Sequence, residues 1–311
     1  MIITRRNFIK STTVLAAGVA LEGTSLLHAN VNQPNDRQLT QFQIACMTLP
    51  YSAFPLERAL RGISGAGYKY VAWGTSHRES NGSMPVLAAD ASPAKAKELA
   101  KRCRDMGLEP VMMFSDIYPD AENGLDALKH RLKQASAAGV SQVLTFGNIK
   151  SSNIELWIER FKILGPIARD SGVLLVVKQH GGNTGTGAVC AEIIRKVNDD
   201  GIKVCYDAGN VLHYLSLDPL PDINTCADEV HSFCIKDHRT FPKTGICGPG
   251  LGEVDHYKLL HPVAFTGRKI PLCCENIFAP CLPRPTKPEE IDVLAKRARE
   301  FLELVTQGLQ A

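Results

Sequence analysis

Four consecutive apolar runs in the second half of the chain each finish on a charged residue. They read Val176-Val177-Lys178, Cys205-Tyr206-Asp207, Cys234-Ile235-Lys236 and Cys273-Cys274-Glu275. Charges are rarely buried unless they are paired or functional. A carboxylate in such a place can take up a proton, and an ammonium group can neutralise a developing oxyanion. One acid–base pair at a strand end is often no more than a structural salt bridge. Two carboxylates and two lysines at one level point instead to a site. Histidines cluster around them. His180 precedes Gly181-Gly182, a stretch flexible enough to approach a ligand, and His238 follows Lys236-Asp237. Asn210 and His213 follow Asp207; upstream, His77 follows Trp73-Gly74, where the indole suits either stacking on a ring or core packing.

Elements that would carry these residues recur at near-even spacing. Strand candidates are Gln43–Met47, Tyr70–Trp73, Pro110–Phe114, Gln142–Phe146, Val173–Lys178, Lys203–Asp207, His231–Lys236 and Ile270–Glu275. They are short and often β-branched, as strands buried on both faces are. Helix-like segments lie between them. One starts at Ser92-Pro93 and runs to Met106, a second spans Glu122 to Ala138, and a third spans Ile154 to Asp170. Serine before proline marks a helix start, and Gly139 and Gly172 mark helix ends. The last helix is placed from Pro288 to Gln307, with Gly308 as its stop. Eight strand–helix units within residues 41–311 match a single closed (β/α)8 barrel. A doubly wound sheet is the competing arrangement, but no GxGxxG follows the first strand. In such barrels chemistry sits at the carboxyl ends of the strands, where the four charges lie.

The spacing resembles the xylose isomerase-like TIM barrel superfamily of sugar phosphate isomerases and epimerases. The likeness rests on Lys178-Gln179-His180-Gly181-Gly182, Tyr206-Asp207-Ala208-Gly209-Asn210, Ile235-Lys236-Asp237 and Gly248-Pro249-Gly250-Leu251-Gly252-Glu253-Val254-Asp255. The resemblance implies an enzyme that removes a proton next to a carbonyl through an enediolate, ending in isomerisation or epimerisation of a sugar, polyol or ketosugar. It implies a divalent metal held by Glu, Asp, His and Glu on strands 5 to 8. Asp207 and Glu275 fall on two of those ligand positions, but Lys178 stands at the strand-5 glutamate and Cys234 at the strand-7 histidine. A protonated lysine repels a metal, and cysteine favours softer ions than Mg²⁺ or Mn²⁺. Two expectations stay open: a shifted Mn, Mg or Zn site drawing on His180, His231, His238 or Cys234, or no metal, with Lys178 and Lys236 facing Glu275 and Asp207 and Glu275 preferred as the base. His180, His238 and Trp73 are candidate substrate contacts by their positions; the resemblance adds His77, where relatives contact sugar hydroxyls, and Asn210, which matches the family's asparagine after the strand-6 aspartate, and it leaves a homo-oligomer open. Rival outcomes are a β-eliminating lyase or dehydratase of a keto-sugar, a catalytically degenerate carbohydrate-binding barrel, and a metal-dependent hydrolase with a shifted site.

The amino-terminus reads as an address. Thr4-Arg5-Arg6-Asn7-Phe8-Ile9-Lys10 precedes an apolar run from Val14 to Leu21, the pattern of a cleavable twin-arginine export signal over residues 1–29 that leads to the periplasm. A polar linker over 30–40 would follow. The apolar run has eight residues against roughly 20 for a membrane-spanning helix, so no stable insertion is expected. The formal charge of +3 includes Arg5, Arg6 and Lys10 against Glu22, so the segment accounts for +2 of it. That balance offers no basic face for nucleic acid. GxSxG, HExxH and Walker motifs are missing. Of the ten cysteines most fall within apolar runs; Cys226, Cys247 and Cys281 sit in loop-like sequence and are the disulfide candidates of an oxidising compartment.

Overall fold

Strands β1 (Gln41–Met47), β2 (Tyr70–Trp73), β5 (Glu109–Phe114), β6 (Gln142–Phe146), β7 (Leu174–Lys178), β8 (Ile202–Tyr206), β9 (Val230–Ile235) and β12 (Lys269–Cys274) close into one parallel barrel in the order β1-β12-β9-β8-β7-β6-β5-β2. The computed structural model describes residues 38–149 and 153–311, so the export signal and most of the linker lie outside the described residues. Alternation along each strand sorts side chains into two layers. Ala45, Met47, Ala72, Met112, Leu144, Val176, Cys205, Cys234 and Cys273 pack inside the barrel. Their chain neighbours Val71, Trp73, Val177, Val204 and Tyr206 pack outside, against the helices.

The helices are α1 (Leu56–Gly65), α2 (Pro93–Asp105), α3 (Gly124–Ala138), α4 (Ile154–Asp170), α5 (Gly187–Val197), α6 (Ala208–Leu215), α7 (Pro219–Asn224), α8 (His256–Leu260) and α9 (Pro288–Leu309). The Ser92 hydroxyl caps α2 by accepting the Lys95 N–H, and Gly139 ends α3 at a φ of 68°, which suits glycine. Gly308 does not stop the last helix as expected; α9 runs through it to Leu309, because the final turn still packs Leu309 into the core. None of these helices is long and apolar enough to cross a membrane.

Two hairpins were not foreseen, because each strand has only three or four residues and no alternating apolar pattern. They are β3 (Ser76–Glu79) with β4 (Gly82–Pro85), and β10 (Asp237–Arg239) with β11 (Gly245–Cys247). Both leave the barrel at the carboxyl ends of its strands, after β2 and β9. The disulfide expectation fails. All ten cysteines are free thiols, Cys226 and Cys247 are buried, and Cys281 is the exposed one. Part of the expected linker is also structured. The Thr40 amide donates to the Ala264 carbonyl at 3.0 Å, and the Thr40 carbonyl accepts the Gln310 side-chain amide at 2.7 Å.

His231, at the start of β9, marks a pH-sensitive spot at the amino-terminal end of the barrel. Burial, and then the adjacent Arg268 guanidinium, push its pKa down to about 4. In the unfolded chain it would titrate near the ordinary 6.5, so acid protonates the unfolded chain first. This contribution is intact above about pH 6.5 and is lost as the pH falls toward 4, by up to about 3 kcal/mol. Denaturant melts of wild type and His231→Gln at pH 7 and pH 4.5 check it: the wild type should lose the larger share of its stability.

Candidate functional site

Lys178, Asp207, Lys236 and Glu275 meet at the carboxyl-terminal mouth of the barrel. Lys178 is the last residue of β7, and the other three directly follow β8, β9 and β12. All four share the inward parity of Val176, Cys205, Cys234 and Cys273, one layer below them. The strands therefore deliver two cations and two anions alternately around the ring.

They form a closed square. The Lys178 Nζ lies 2.9 Å from Glu275 Oε2 and 3.6 Å from Asp207 Oδ2; the Lys236 Nζ lies 2.8 Å from Asp207 Oδ2 and 3.1 Å from Glu275 Oε2. Four formal charges sum to zero, which is how so many survive burial. Phe114 and Phe146 flank the Lys178 ammonium, with ring centroids 5.1 and 5.5 Å away, and add cation–π attraction. Burial opposes the charge on both lysines, but Glu275 and Asp207 outweigh it, so both pKa values stand above the ordinary lysine value. Burial likewise works to raise the Glu275 pKa, yet Lys178 and Lys236 hold its carboxyl well below the usual range. Asp207, wholly enclosed, goes the other way: burial lifts it above the usual aspartate value.

The four residues differ in access. Glu275 and Lys236 line a cavity of about 280 Å³, together with Ser52, Asn276, Phe278 and Arg284. Lys178 and Asp207 stand behind them, and Asp207 is fully buried. Asp207 also holds the backbone: its Oδ1 accepts the Asn210 N–H at 2.9 Å, capping α6, while its own N–H donates to Gln179 Oε1 at 3.0 Å. Asn210 donates its side-chain amide to the Gln179 carbonyl at 2.7 Å. Asn210 therefore ties β7 to α6, and Gln179, which the sequence reading passed over, braces Asp207.

Gly209 explains the spacing of Asp207-Ala208-Gly209-Asn210. A Cβ there would stand 2.6 Å from Lys236 Cγ. Gly209→Ala is expected to force the Lys236 stem aside and to destabilise the protein by about 1–3 kcal/mol, the usual range for overpacking; urea denaturation measures the loss. Asp237, half of the Lys236-Asp237 pair, is held away from the square. Its Oδ1 accepts the His238 and Val254 N–H groups, and its Oδ2 accepts those of Gly250 and Gly252, at 2.8 to 3.1 Å. The glycine-rich turn is thus a backbone cradle for one buried carboxylate. Side chains at Gly252 would collide with it.

Of the predicted substrate contacts, His180 sits beside the square. Its Nδ1 pairs with the Gly147 carbonyl at 3.0 Å, and its ring packs edge-on against Phe146 and Tyr214. Burial, followed by the positive Lys178, keeps its pKa below the ordinary histidine value. Because Gly147 only accepts, Nδ1 carries the proton and Nε2 is the acceptor, facing the Tyr214 hydroxyl at 3.4 Å. His238 packs near His213, with ring centroids 5.5 Å apart, and meets Thr244 Oγ1 through Nε2 at 3.3 Å. Trp73 does not reach the cavity beside Glu275. It points outward from β2 and is 1% exposed, in the layer between barrel and helices. His77 is buried in the β3–β4 hairpin with Nδ1 on the Phe54 carbonyl at 2.8 Å, also apart from that cavity.

The donors do not suit a divalent metal. Asp207, Cys234 and Glu275 each bring one ligand atom within 4.8 Å of the others. Asp207 Oδ2 and Glu275 Oε2, however, are engaged by two ammonium groups whose pKa values are raised. A cation bonding them at roughly 2.0–2.6 Å would be pressed against both positive charges. Cys234 is buried with its pKa well above the ordinary thiol value, first through burial, so it is a thiol and not a thiolate. His180 is turned to Gly147 through Nδ1, and His231 lies at the opposite end of its strand, in contact with Arg268.

Residues 60–298 match the family model described as "Xylose isomerase-like TIM barrel". No curated protein matches the chain. Among solved structures, the chain is 18% identical to a xylose isomerase-like TIM barrel protein from Mycobacterium smegmatis in complex with magnesium, with a TM-score of 0.68 over 86% of this chain and 98% of that one. It is 17% identical to an L-ribulose 3-epimerase, with a TM-score of 0.64 over 86% and 95%. It is 20% identical to a xylose isomerase-like TIM barrel/4-hydroxyphenylpyruvate dioxygenase fusion protein, with a TM-score of 0.62, covering 85% of this chain but only 44% of the fusion. At these identities the likeness is one of fold.

Proposed function

The chain belongs to the xylose isomerase-like TIM barrel family, and we propose that it is a sugar isomerase or epimerase that moves a proton next to a carbonyl with lysines where a metal would otherwise stand. The observation that carries this reading is that Glu275 Oε2, at the floor of the cavity, lies within 3.1 Å of two ammonium groups. Similarity in fold to an L-ribulose 3-epimerase supports the reaction class.

Glu275 serves as the base because it, and not Asp207, reaches the cavity; access is weighed before acidity. Its resting pKa makes it a weak base. A substrate carbonyl oxygen that draws Lys236 toward itself removes one of the partners holding that pKa down, so binding restores basicity. The α-carbon proton then passes to the Glu275 carboxylate. The C–H electron pair moves into the enediolate, and its oxyanion rests on the Lys236 ammonium. Return of the proton from Glu275 to the neighbouring carbon, with the hydroxyl proton of the first carbon passing to the oxyanion, isomerises; epimerisation requires a different proton, delivered to the other face by a water molecule in the cavity, after which Glu275 releases its own to solvent. Lys178 and Asp207 are positioning residues that keep the Glu275–Lys236 pair charged and in place. Export by the twin-arginine route to the periplasm is part of this proposal, supported by Arg5-Arg6 and the apolar run after them.

Incubation with ketohexoses in D₂O, followed by NMR, tests the reaction. α-Proton exchange is expected, with an isomer or epimer as product, and is expected to persist at full rate in EDTA. Exchange silenced by chelator and restored by Mn²⁺ would overturn the lysine mechanism. Exchange accompanied by loss of water would turn the reading to elimination.

A further inference from the structure

The cavity above Glu275 does not end at one chamber. A second, of about 410 Å³, adjoins it and shares Ile246, Asn276, Phe278 and Arg284 with the first. Its walls come from the β10–β11 hairpin on one side and the segment between β12 and α9 on the other. The two chambers differ in chemistry. The inner one holds the proton-transfer pair Glu275 and Lys236. The outer one carries two cations, Lys243 and Arg284, and no acidic residue, above apolar surface from Phe278, Pro280 and Leu282. The Arg284 guanidinium lies 4.8 Å from the Phe278 ring centroid, at the junction of the two chambers. Pro283 and Pro285 bracket it and stiffen its backbone. Among the described residues neither Lys243 nor Arg284 makes an ion pair, whereas Arg58, Arg104, Arg169 and Arg299 all do. Unpaired guanidinium on an aromatic face, with a second cation on the other wall of the chamber and no counter-charge, is a receptor for an oxyanion.

We propose that the outer chamber is a second subsite, which binds a carboxylate or phosphate on the outer unit of a two-unit carbohydrate while the inner unit presents its carbonyl to Glu275. This rests on the proton-transfer reading of the inner chamber and names the substrate class for it. The outer ring lies on the apolar surface of Phe278 and Leu282, and its oxyanion bridges Lys243 and Arg284. A neutral monosaccharide would fill only the inner chamber and leave both cations without a partner.

Calorimetric titration with three probes tests the subsite: cellobiose, cellobiose with its non-reducing unit oxidised to the glucuronate, and cellobiose 6′-phosphate. At least one anionic disaccharide should bind tenfold or more tightly than cellobiose, and which of the two does so identifies the oxyanion. In Lys243→Met/Arg284→Met, which keeps apolar stems at two exposed positions, that preference should vanish while the melting temperature holds. Equal affinity for all three probes, no measurable binding of any, or a preference that survives the double substitution would each overturn the proposal. Because these are equilibrium measurements, they separate from the exchange reaction. α-Proton exchange without anion preference removes the outer subsite alone, and anion preference without exchange removes the proton-transfer reading alone.

Discussion

Glu275→Gln is expected to slow α-proton exchange by roughly 10²–10⁴-fold, the usual contribution of a positioned base. The amide keeps the shape of the side chain and can still accept a hydrogen bond from an ammonium group, but it cannot take up a proton at neutral pH. It also leaves Lys178 and Lys236 sharing Asp207 as their one remaining carboxylate, so the square gains a net positive charge. Lys236 would then stand nearer to Asp207 and farther from the substrate oxygen. Glu275→Asp separates the two effects. It restores the charge but withdraws the base by one methylene, and should fall between glutamine and wild type in exchange rate while matching wild type in stability. If Glu275→Gln exchanges as fast as wild type in D₂O, the base is another group, and Asp207 is the next to test.

Lys178→Met is the second large effect, and it falls on stability. Lys178 is about 1% exposed and faces both carboxylates. Without its ammonium two buried anions share one cation, and breaking a buried ion pair from one side typically costs about 3–5 kcal/mol. For a chain of this size the melting temperature should fall by roughly 10 °C. Adding Asp207→Asn returns the charge balance to zero while its side-chain oxygen can still cap α6. The double variant should therefore be more stable than the sum of the two single losses predicts. Strict additivity in thermal melts would mean that the square does not act as an electrostatic unit.

Much of this was legible in the sequence because it followed from period and type. β6 was placed over Gln142–Phe146 and α4 over Ile154–Asp170, and both stand where expected. Each is a run long enough to show its pattern. The convergence of Lys178, Asp207, Lys236 and Glu275 was also visible, since strand parity sends the residues at the ends of neighbouring barrel strands to one place. What stayed hidden depends on contacts between segments distant in the chain. The Asp237 carboxylate sits next to Lys236 in sequence, yet three of its four partners are backbone amides of residues 250–254, and no pattern of residue types announces a backbone donor. Trp73 next to Gly74 suited either a sugar platform or core packing, and parity decides for the core, since it points opposite to Ala72, which faces the barrel interior. Lys243 and Arg284 gave no signal except the prolines around Arg284, because their surroundings are loops. For Cys226 and Cys247, loop-like sequence suggested exposure and pairing; tertiary packing buried both as single thiols.

The hydrogen bond between the Gln310 side chain and the Thr40 carbonyl brings the first and last described segments together at the amino-terminal end of the barrel, away from the mouth. A short peptide joining residue 311 to residue 38 in place of residues 1–37 would not cross the mouth, so new termini can be cut in exposed loops elsewhere. A circular permutant of this kind should keep the square intact. The same geometry means that a tag, a carrier domain or a solid support attached after Ala311 is held at the end of the barrel opposite the mouth, which makes the protein suited to oriented immobilisation.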